Sequence, residues 1–364
     1  MMRPGSTGRP PTTLPLFTML LATALATACS SMPAGESRPA AVVRTEQVSG
    51  TDVLLIAVSP VNENVVWVSG AGGTWLRSTN GGTTWQAGRV PGADSLQFRD
   101  VHAVDANTAY LLSIGSGSDS RIYKTTDAGA SWTLQFTNAE PRGFYDCFDF
   151  WDARRAVVIG DEFDGSVAML ETADGGATWT RVSRAALPPA QPGEGSFAAS
   201  GTCVETGQGG RAWIVASNPD YGRVLHTADY GSTWTVDTLP ITVRAASGPQ
   251  SVTFRDANNG MALGGGYAVQ PGDVLAAMTN DGGHTWSAVT RPPLATGVWG
   301  ASWVPGAGAP TVVAVGPAGS VYTRDHGATW LSIDSLNYWS VGFASADAGW
   351  AVGTDGRITK LSGF

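Results

Sequence analysis

The chain contains very little lysine and few charged residues of any kind. Of its 364 residues, only Lys124 and Lys360 are lysines, and charged residues make up 14% of the total. The net charge is −8, and no run of like charge occurs. Because phosphate binding needs clustered cations, this composition argues against nucleic acid as a partner.

Long helices and metal-binding motifs are also missing. After residue 45 no stretch shows sustained helical periodicity, whereas 47 glycines and 21 prolines favour many turns and short strands. The four histidines show no metal-ligand spacing and fall at His102, His226, His284 and His326. No strand–GxGxxG–helix unit for a dinucleotide is present. The sequence therefore predicts no metal and no cofactor.

One long apolar run lies near the N-terminus. Leu14 to Ala28 is about 15 residues long, which is short for a membrane span and typical of a signal-peptide core. The following Cys29, preceded by small residues, resembles the lipidated cysteine of a bacterial lipoprotein; ordinary cleavage nearby would instead leave a free thiol. Ser30 and Ser31 favour sorting to the outer membrane, facing the periplasm. The predicted organisation is a signal peptide at 1–28, a flexible tether at 29–41 and one domain at 42–364.

A short motif of the form (Ser/Thr)-x-Asp-x-Gly-x-(Thr/Ser)-Trp occurs six times after this segment. The copies span Ser78 to Trp85, Thr125 to Trp132, Thr172 to Trp179, Thr227 to Trp234, Thr279 to Trp286 and Thr323 to Trp330. Their tryptophans lie 47, 47, 55, 52 and 44 residues apart. Repeats of this length indicate that one supersecondary unit was copied and stacked.

Each repeat predicts four antiparallel strands, which form one blade of a β-propeller. After the sixth motif, Asn337 to Phe343, Gly349 to Gly353 and Arg357 to Leu361 supply three strands of a seventh blade. The segment Val42 to Val48 supplies the fourth. The predicted fold is all-β, a seven-bladed propeller whose ring is closed by the N-terminal strand, which leaves few open sheet edges.

The motif has a structural role that its residue types explain. The acid can accept backbone N–H bonds within a turn, the glycine tolerates positive φ, and we expect the tryptophan to bury its ring between sheets. Six equivalent copies in one ring cannot all lie at one site, so these residues are interpreted as structural. The acid positions are Asn80, Asp127, Asp174, Asp229, Asp281 and Asp325, and the tryptophans are Trp85, Trp132, Trp179, Trp234, Trp286 and Trp330.

These motifs resemble the Asp-boxes, or BNR repeats, of sialidases, sortilin-type receptors, xyloglucan hydrolases and the photosystem II assembly and stability factor family. Ser345 to Gly353 (SADAGWAVG) and Phe254 to Gly264 (FRDANNGMALG) are similar to the segment that precedes the box in the last family. The resemblance spans about residues 42–364. It implies a seven-bladed propeller and says little about activity, because the boxes occur in proteins with unrelated functions.

The resemblance also implies which face carries binding residues. The box lies between the third and fourth strands of a blade, so the opposite face carries the second-to-third loops and the connections between blades. We call this opposite face the loop face. The candidate binding residues on it are Arg99, Arg142, Tyr145, Asp146, Asp161, Glu162, Arg244, Trp299, Tyr338 and Trp339.

Two functions compete for these residues. A non-catalytic binding or assembly scaffold would use them to contact a protein or glycan at the cell envelope, with the propeller itself monomeric. A sialidase-like or other glycoside hydrolase would use Arg99, Arg142 and Arg244 for a substrate carboxylate. The chain lacks the Phe/Tyr-Arg-Ile-Pro segment of sialidases and shows no Tyr–Glu nucleophile pair, which favours the scaffold and predicts no catalytic residue.

Cys147 and Cys203 occupy the same position of the innermost strand in neighbouring blades. An oxidising compartment would allow a disulfide between them. Equivalent side chains point the same way around a ring, however, so the two sulfurs need not face each other. Both the bonded and the free state remain open from the sequence.

Overall fold

Residues 42–364, the part of the chain that the computed structural model describes, form seven four-stranded antiparallel sheets. The predicted signal peptide, the predicted tether and the predicted lipidation of Cys29 lie outside these residues. Within them, no helix is long and apolar enough to cross a membrane.

The strands follow the order of the repeats. The first four blades, preceded by β1 (Val43–Gln47), contain β2 (Leu55–Pro60), β3 (Val66–Gly70), β4 (Thr74–Ser78), β5 (Gln86–Arg89); β6 (Phe98–Ala103), β7 (Ala109–Ser113), β8 (Arg121–Thr125), β9 (Thr133–Thr137); β10 (Tyr145–Phe150), β11 (Ala156–Phe163), β12 (Ser166–Thr172), β13 (Thr180–Arg181); and β14 (Val204–Gly207), β15 (Arg211–Ser217), β16 (Gly222–Thr227), β17 (Thr235–Leu239).

The remaining three blades contain β18 (Gly248–Phe254), β19 (Gly260–Gly265), β20 (Ala276–Thr279), β21 (Ser287–Ala288); β22 (Gly300–Trp303), β23 (Val312–Gly316), β24 (Gly319–Thr323), β25 (Leu331–Asp334); and β26 (Tyr338–Ser345), β27 (Ala348–Gly353), β28 (Ile358–Ser362). Short 3₁₀ turns occur at Gly117–Asp119, Arg184–Ala186 and Gln208–Gly210.

The ring closes as the sequence predicts. Strand β1 pairs with β28 in the order β1-β28-β27-β26, with the register running from Val43 opposite Ser362 to Gln47 opposite Ile358. The last blade is therefore built from both ends of the domain. The seven-bladed fold and its closure are confirmed.

The second strand of each blade lies in the packed interior between neighbouring sheets. Strands β3, β7 and β23 are buried along their whole length, and their side chains contact the adjacent blades. Trp67 on β3 is fully buried and packs against Trp75 at 5.6 Å and Trp132 at 6.2 Å between ring centroids. Burial between blades, which β-branched and aromatic residues favour, thus forms six hydrophobic clusters at successive blade contacts among the described residues.

The five boxes that carry an aspartate close their turns with the same hydrogen bonds, here described for the fifth copy. Asp281 Oδ1 accepts bonds from Thr279 Oγ1 at 2.8 Å and from the Thr285 N–H at 2.9 Å, and Thr285 Oγ1 donates to Asp281 Oδ2 at 2.6 Å. The Gly283 N–H donates to Thr279 Oγ1 at 3.0 Å, and Gly283 has φ of +97°. The Thr285 hydroxyl and backbone hold the pKa of Asp281 well below its usual range.

The box tryptophans are less buried than the sequence suggests. Only Trp234 is buried, at 6% exposure, whereas the other five are half-buried at the edges of their blades. The fully buried indoles come from second strands instead, at Trp67 and Trp350. The difference in burial follows from position. The box lies in the turn after the third strand, at the edge of the blade, whereas both faces of the second strand are covered by neighbouring sheets.

One connection between blades departs from the rest. It runs from β13 to β14, residues 182–203, and its last part crosses the central channel. Arg99 Nη1 donates to the Ala198 carbonyl at 2.9 Å, Ser340 Oγ donates to the Ser200 carbonyl at 3.0 Å, and Ser200 Oγ donates to the Trp299 carbonyl at 2.7 Å. Because these three partners belong to three different blades, residues 196–202 cross the channel at its loop-face end. We call them the channel segment.

Two buried links hold this connection in place. Cys203, directly after the channel segment, forms a disulfide with Cys147 of the preceding blade, with 6.1 Å between their Cα atoms. Glu194, directly before the segment, accepts a hydrogen bond from Arg223 at 3.0 Å, and their side chains are 0% and 6% exposed. A buried ion pair of this kind is costly to break from one side. The channel segment is thus fixed at both ends.

The Asp-box bonds predict how substitutions at the acid should rank. Asp281→Ala leaves the turn donors unpaired and should lower the free energy of unfolding by about 1–3 kcal/mol. Asp281→Asn should lower the free energy of unfolding by less than Asp281→Ala does, because an asparagine can keep two of the bonds: Asn80 in the first box accepts from Ser78 Oγ and from the Thr84 N–H. Urea unfolding of both variants measures the two decreases. Equal decreases would contradict this role of the acid.

The disulfide predicts a second loss of stability. The bond closes a loop with a sequence separation of 56. The free energy of unfolding of the double variant Cys147→Ser/Cys203→Ser should therefore be about 3–4 kcal/mol lower than that of the wild type. A reductant should lower the urea midpoint of the wild type and leave that of the double variant unchanged. Two thiols that alkylate freely in the native wild type would refute the bond.

Candidate functional site

A cavity of about 450 Å³ opens on the loop face above the channel segment. This volume lies in the range of small-ligand and side-chain pockets. The residues that line it come from the starts of innermost strands, from second-to-third loops and from the channel segment: Arg99, Ile114, Phe144, Asp146, Asp161, Ser196, Phe197, Ala198, Ala199, Ala246, Gln250, Gly266, Tyr267, Trp299 and Trp339. We call it the loop-face cavity.

Three aromatic rings form one wall of the cavity. Tyr267 meets Trp299 edge to face at 4.7 Å between centroids, and Trp299 meets Trp339 in the same way at 4.6 Å. Trp299 is only 5% exposed, whereas Tyr267 is 68% exposed. The buried ring supports the others, and the exposed one offers free apolar surface. Such rigid aromatic groups are enriched where proteins bind other proteins. These three residues are the aromatic wall.

Arg99 continues the wall with a cation. Its guanidinium lies 4.7 Å from the centroid of the Trp339 ring, a cation–π distance. Its Nη1 donates to the Ala198 carbonyl, and its Nη2 donates to Gln97 Oε1 at 2.8 Å. Among the described residues that line the cavity, Arg99 is the only cation. It gives the cavity one positive group whose position is fixed by three contacts.

Two carboxyl groups lie on the other side of the cavity. Burial raises the pKa of Asp161 to about 6, and burial together with the neighbouring Asp161 raises the pKa of Asp146 well above its usual range. Asp146 Oδ2 is buried and has no hydrogen-bond partner within the described residues. Burial therefore favours the neutral form of Asp146 and leaves one of its oxygens without a hydrogen-bond partner.

Bulges at the strand starts explain which predicted residues reach the cavity. Asp146 and Trp339 line it, whereas Tyr145 and Tyr338, their immediate neighbours, are buried inside blades. The Tyr338 hydroxyl donates to Asp334 Oδ2 at 3.1 Å. The strand register shifts between Tyr145 and Cys147 and between Tyr338 and Ser340, so Asp146 and Trp339 are the extra residues of β-bulges. The prediction that the two tyrosines belong to a binding surface is therefore replaced by a role in blade packing.

Three other predicted residues lie on the loop face outside the cavity. Arg142 is exposed and its guanidinium lies 5.2 Å from the Phe163 ring. Arg244 pairs with Asp273 at 2.5 Å, and Glu162 Oε1 accepts a bond from a backbone N–H of its own loop at 2.7 Å. Only one of the three candidate arginines thus lines the cavity, so the triad that a sialidase needs is not assembled there.

Several residues that line the cavity are not among the binding residues predicted from the sequence. Phe197 lies in the channel segment and Tyr267 in the loop after β19, and neither position follows from strand periodicity. Only one feature of the sequence distinguishes the two residues: each is an aromatic residue within a loop rich in Gly, Ala, Ser or Pro.

The Asp-box face also has depressions, of about 710 and 750 Å³, which share Glu205. Burial raises the pKa of Glu205 to about 8, and its Oε1 accepts a bond from the Phe254 N–H at 3.1 Å. Aromatic and cationic groups occur there too, since the Arg255 guanidinium lies 5.6 Å from the centroid of the Trp303 ring. The loop-face cavity differs from these depressions in having the channel segment as its floor, held by the disulfide and by Glu194.

The Asp161 carboxyl predicts a pH dependence of stability. Its pKa of about 6 exceeds that of an unfolded aspartate, about 3.9, so the folded chain binds the proton more tightly. The free energy of unfolding should fall by about 1–3 kcal/mol as pH rises from about 4 to 6. Asp161→Asn should remove this part of the slope in urea unfolding at several pH values. An unchanged slope would contradict the assignment.

Comparisons with known proteins identify the fold and leave the family unassigned. No protein-family model matches the chain. A xyloglucanase from Paenibacillus sp is 27% identical over 260 residues, a match that covers 60% of this chain and 23% of that enzyme.

Solved structures match over almost the whole propeller. YCF48 bound to D1 peptide superposes with a TM-score of 0.61 at 17% identity and covers 91% of this chain and 99% of that one. YCF48 from Cyanidioschyzon merolae gives 0.62 at 15% identity, covering 88% and 98%, and the WD40 propeller domain of Doa1 gives 0.56 at 12%, covering 88% and 97%. The chain is a seven-bladed propeller similar in fold to YCF48.

Proposed function

We propose that this chain is a non-catalytic binding scaffold that holds a segment of a protein partner in the loop-face cavity. The observation that carries the proposal is the aromatic wall with Arg99 at its end, facing two carboxyls across a cavity with a fixed floor. A similar propeller, YCF48, has been solved with a D1 peptide bound. The fold is therefore compatible with the capture of an extended polypeptide.

The chemistry of the cavity specifies what a bound segment must offer. An apolar or aromatic side chain would pack on Tyr267 and Trp339, where desolvated aromatic surface contributes most to binding. A carbonyl or carboxylate oxygen would accept from Arg99. An amide or hydroxyl group would bond to the partly exposed carboxyl of Asp161. Because the floor is pinned by the disulfide and by Glu194, little conformational freedom is lost on binding.

The proposal places the scaffold at the cell envelope. The buried Cys147–Cys203 disulfide supports an oxidising compartment, and the segment Leu14 to Cys29 supports export and lipid attachment. The proposed site of action is the periplasmic side of the outer membrane. Recovery of the chain with outer-membrane vesicles supports the anchor, and recovery in the soluble fraction contradicts it.

Affinity capture from envelope extract tests the choice of cavity. Trp339→Ala removes one ring of the aromatic wall, and Arg99→Ala removes the cation, so each should weaken capture of the partner about tenfold or more. Arg142→Ala is the matched control, because Arg142 is an exposed arginine on the same face outside the cavity. It should capture the same partner as the wild type.

The opposite results would refute the proposal. If Trp339→Ala and Arg99→Ala retain every partner, the cavity is not the binding site. If Arg142→Ala loses the partner equally, the contact surface extends beyond the cavity and the assignment fails.

A glycan-cleaving function is the second candidate. Two carboxyls with raised pKa values beside aromatic rings favour it, as does the partial match to a xyloglucanase. Against it stands the absence of an arginine triad in the cavity. Release of a fluorophore from xyloglucan or sialoside substrates, lost in Asp161→Asn, would replace the scaffold proposal with a hydrolase.

A further inference from the structure

Two histidines and an aspartate meet at the junction of the fourth and fifth blades. His226 lies on β16 and Asp237 on β17, whereas His284 belongs to the Asp-box of the next blade. His226 Nε2 lies 2.8 Å from Asp237 Oδ2, and His284 Nδ1 lies 3.9 Å from the same oxygen. One ligand atom from each residue lies within 4.8 Å of the other two. No other group of this kind occurs in residues 42–364.

The site is arranged to accept an ion from solvent. The His226 side chain is 7% exposed and is fixed by its blade, whereas Asp237 and His284 are 35% and 67% exposed. The two imidazole rings stand at 87° to each other with 4.7 Å between centroids. One buried ligand thus anchors the group, and two accessible ligands can adjust to an ion.

Thr235 supports the buried ligand from behind. Its Oγ1 lies 3.2 Å from His226 Nδ1 and 3.1 Å from Nε2, and it donates its own proton to the His226 carbonyl at 3.3 Å. Because Oγ1 is nearly equidistant from the two nitrogens, it contacts the imidazole ring without being aligned with either N–H.

We propose that His226, Asp237 and His284 bind a divalent transition-metal ion, with Zn²⁺ as the reference ion, and that the ion joins the fourth and fifth blades. Imidazole nitrogen and carboxylate oxygen are ligands that zinc prefers, and water completes a four-coordinate shell. Zinc–ligand bonds of about 2.0–2.2 Å place ligand atoms about 3.3 Å apart. The observed separations of 2.8 and 3.9 Å lie on either side of that value.

The third ligand distinguishes this group from an ordinary ion pair. His102 and Asp149 form a similar pair at 3.0 Å, but no further histidine joins them among the described residues. The position of His284 in its box is occupied in the other five copies by Thr83, Ala130, Ala177, Ser232 and Ala328. The turn therefore does not need a histidine there, and His284 is available as a ligand.

Zinc titration of the purified full chain, freed of metal with EDTA, tests the proposal. Calorimetry should show one Zn²⁺ per chain, and the thermal unfolding midpoint should rise with added Zn²⁺. His284→Ala should weaken binding about tenfold or more and abolish that rise. The variant should fold normally, because alanine occupies the same position in three other boxes. Asp237→Asn should weaken binding in the same way.

His326→Asn is the matched control. His326 also lies in an Asp-box turn, with φ of +57°, a conformation that asparagine tolerates, and it is not part of the group. This variant should bind Zn²⁺ as the wild type does. The proposal is overturned if the wild type binds no zinc, if His284→Ala binds it with unchanged affinity, or if His326→Asn loses binding equally.

Discussion

Closure of the ring is the constraint on which the rest of this structure depends. The pairing of β1 with β28 joins the two ends of the domain in one sheet, so each of the seven blades packs against two neighbours. Closure brings the seven innermost strands together around a channel and places the starts of those strands on one face. The loop-face cavity exists because Arg99, Asp146 and Trp339, far apart in sequence, begin such strands.

The channel segment converts this geometry into a cavity with a floor. Ser196 to Ala199 form the floor of the cavity, and the aromatic wall and the two carboxyls line its sides. The disulfide at Cys203 and the ion pair at Glu194 fix that surface to two blades. A scaffold that binds by preformed shape needs this rigidity, because ordering a loose floor would oppose binding.

The fold could be predicted from the sequence because the same blade motif occurs six times. The closure of the ring could be predicted because the seventh blade has three strands after the last motif and needs a fourth strand from the N-terminal segment. Half of the ten residues that the sequence proposes for binding line the cavity, namely Arg99, Asp146, Asp161, Trp299 and Trp339. Tyr145 and Tyr338 lie inside blades instead, because a β-bulge at a strand start is not visible in the sequence pattern. The histidine group was invisible because its ligands come from two blades and share no spacing.

Hydroxyl-radical footprinting of the chain alone and with its captured partner tests the central claim most directly. Tyr267 on the loop face and Tyr230 in an Asp-box are exposed to 68% and 37%, so both report on the same residue type. Binding in the loop-face cavity predicts that the partner protects Tyr267 and leaves Tyr230 reactive. Protection of Tyr230 with Tyr267 still reactive would place the partner on the Asp-box face and contradict the account.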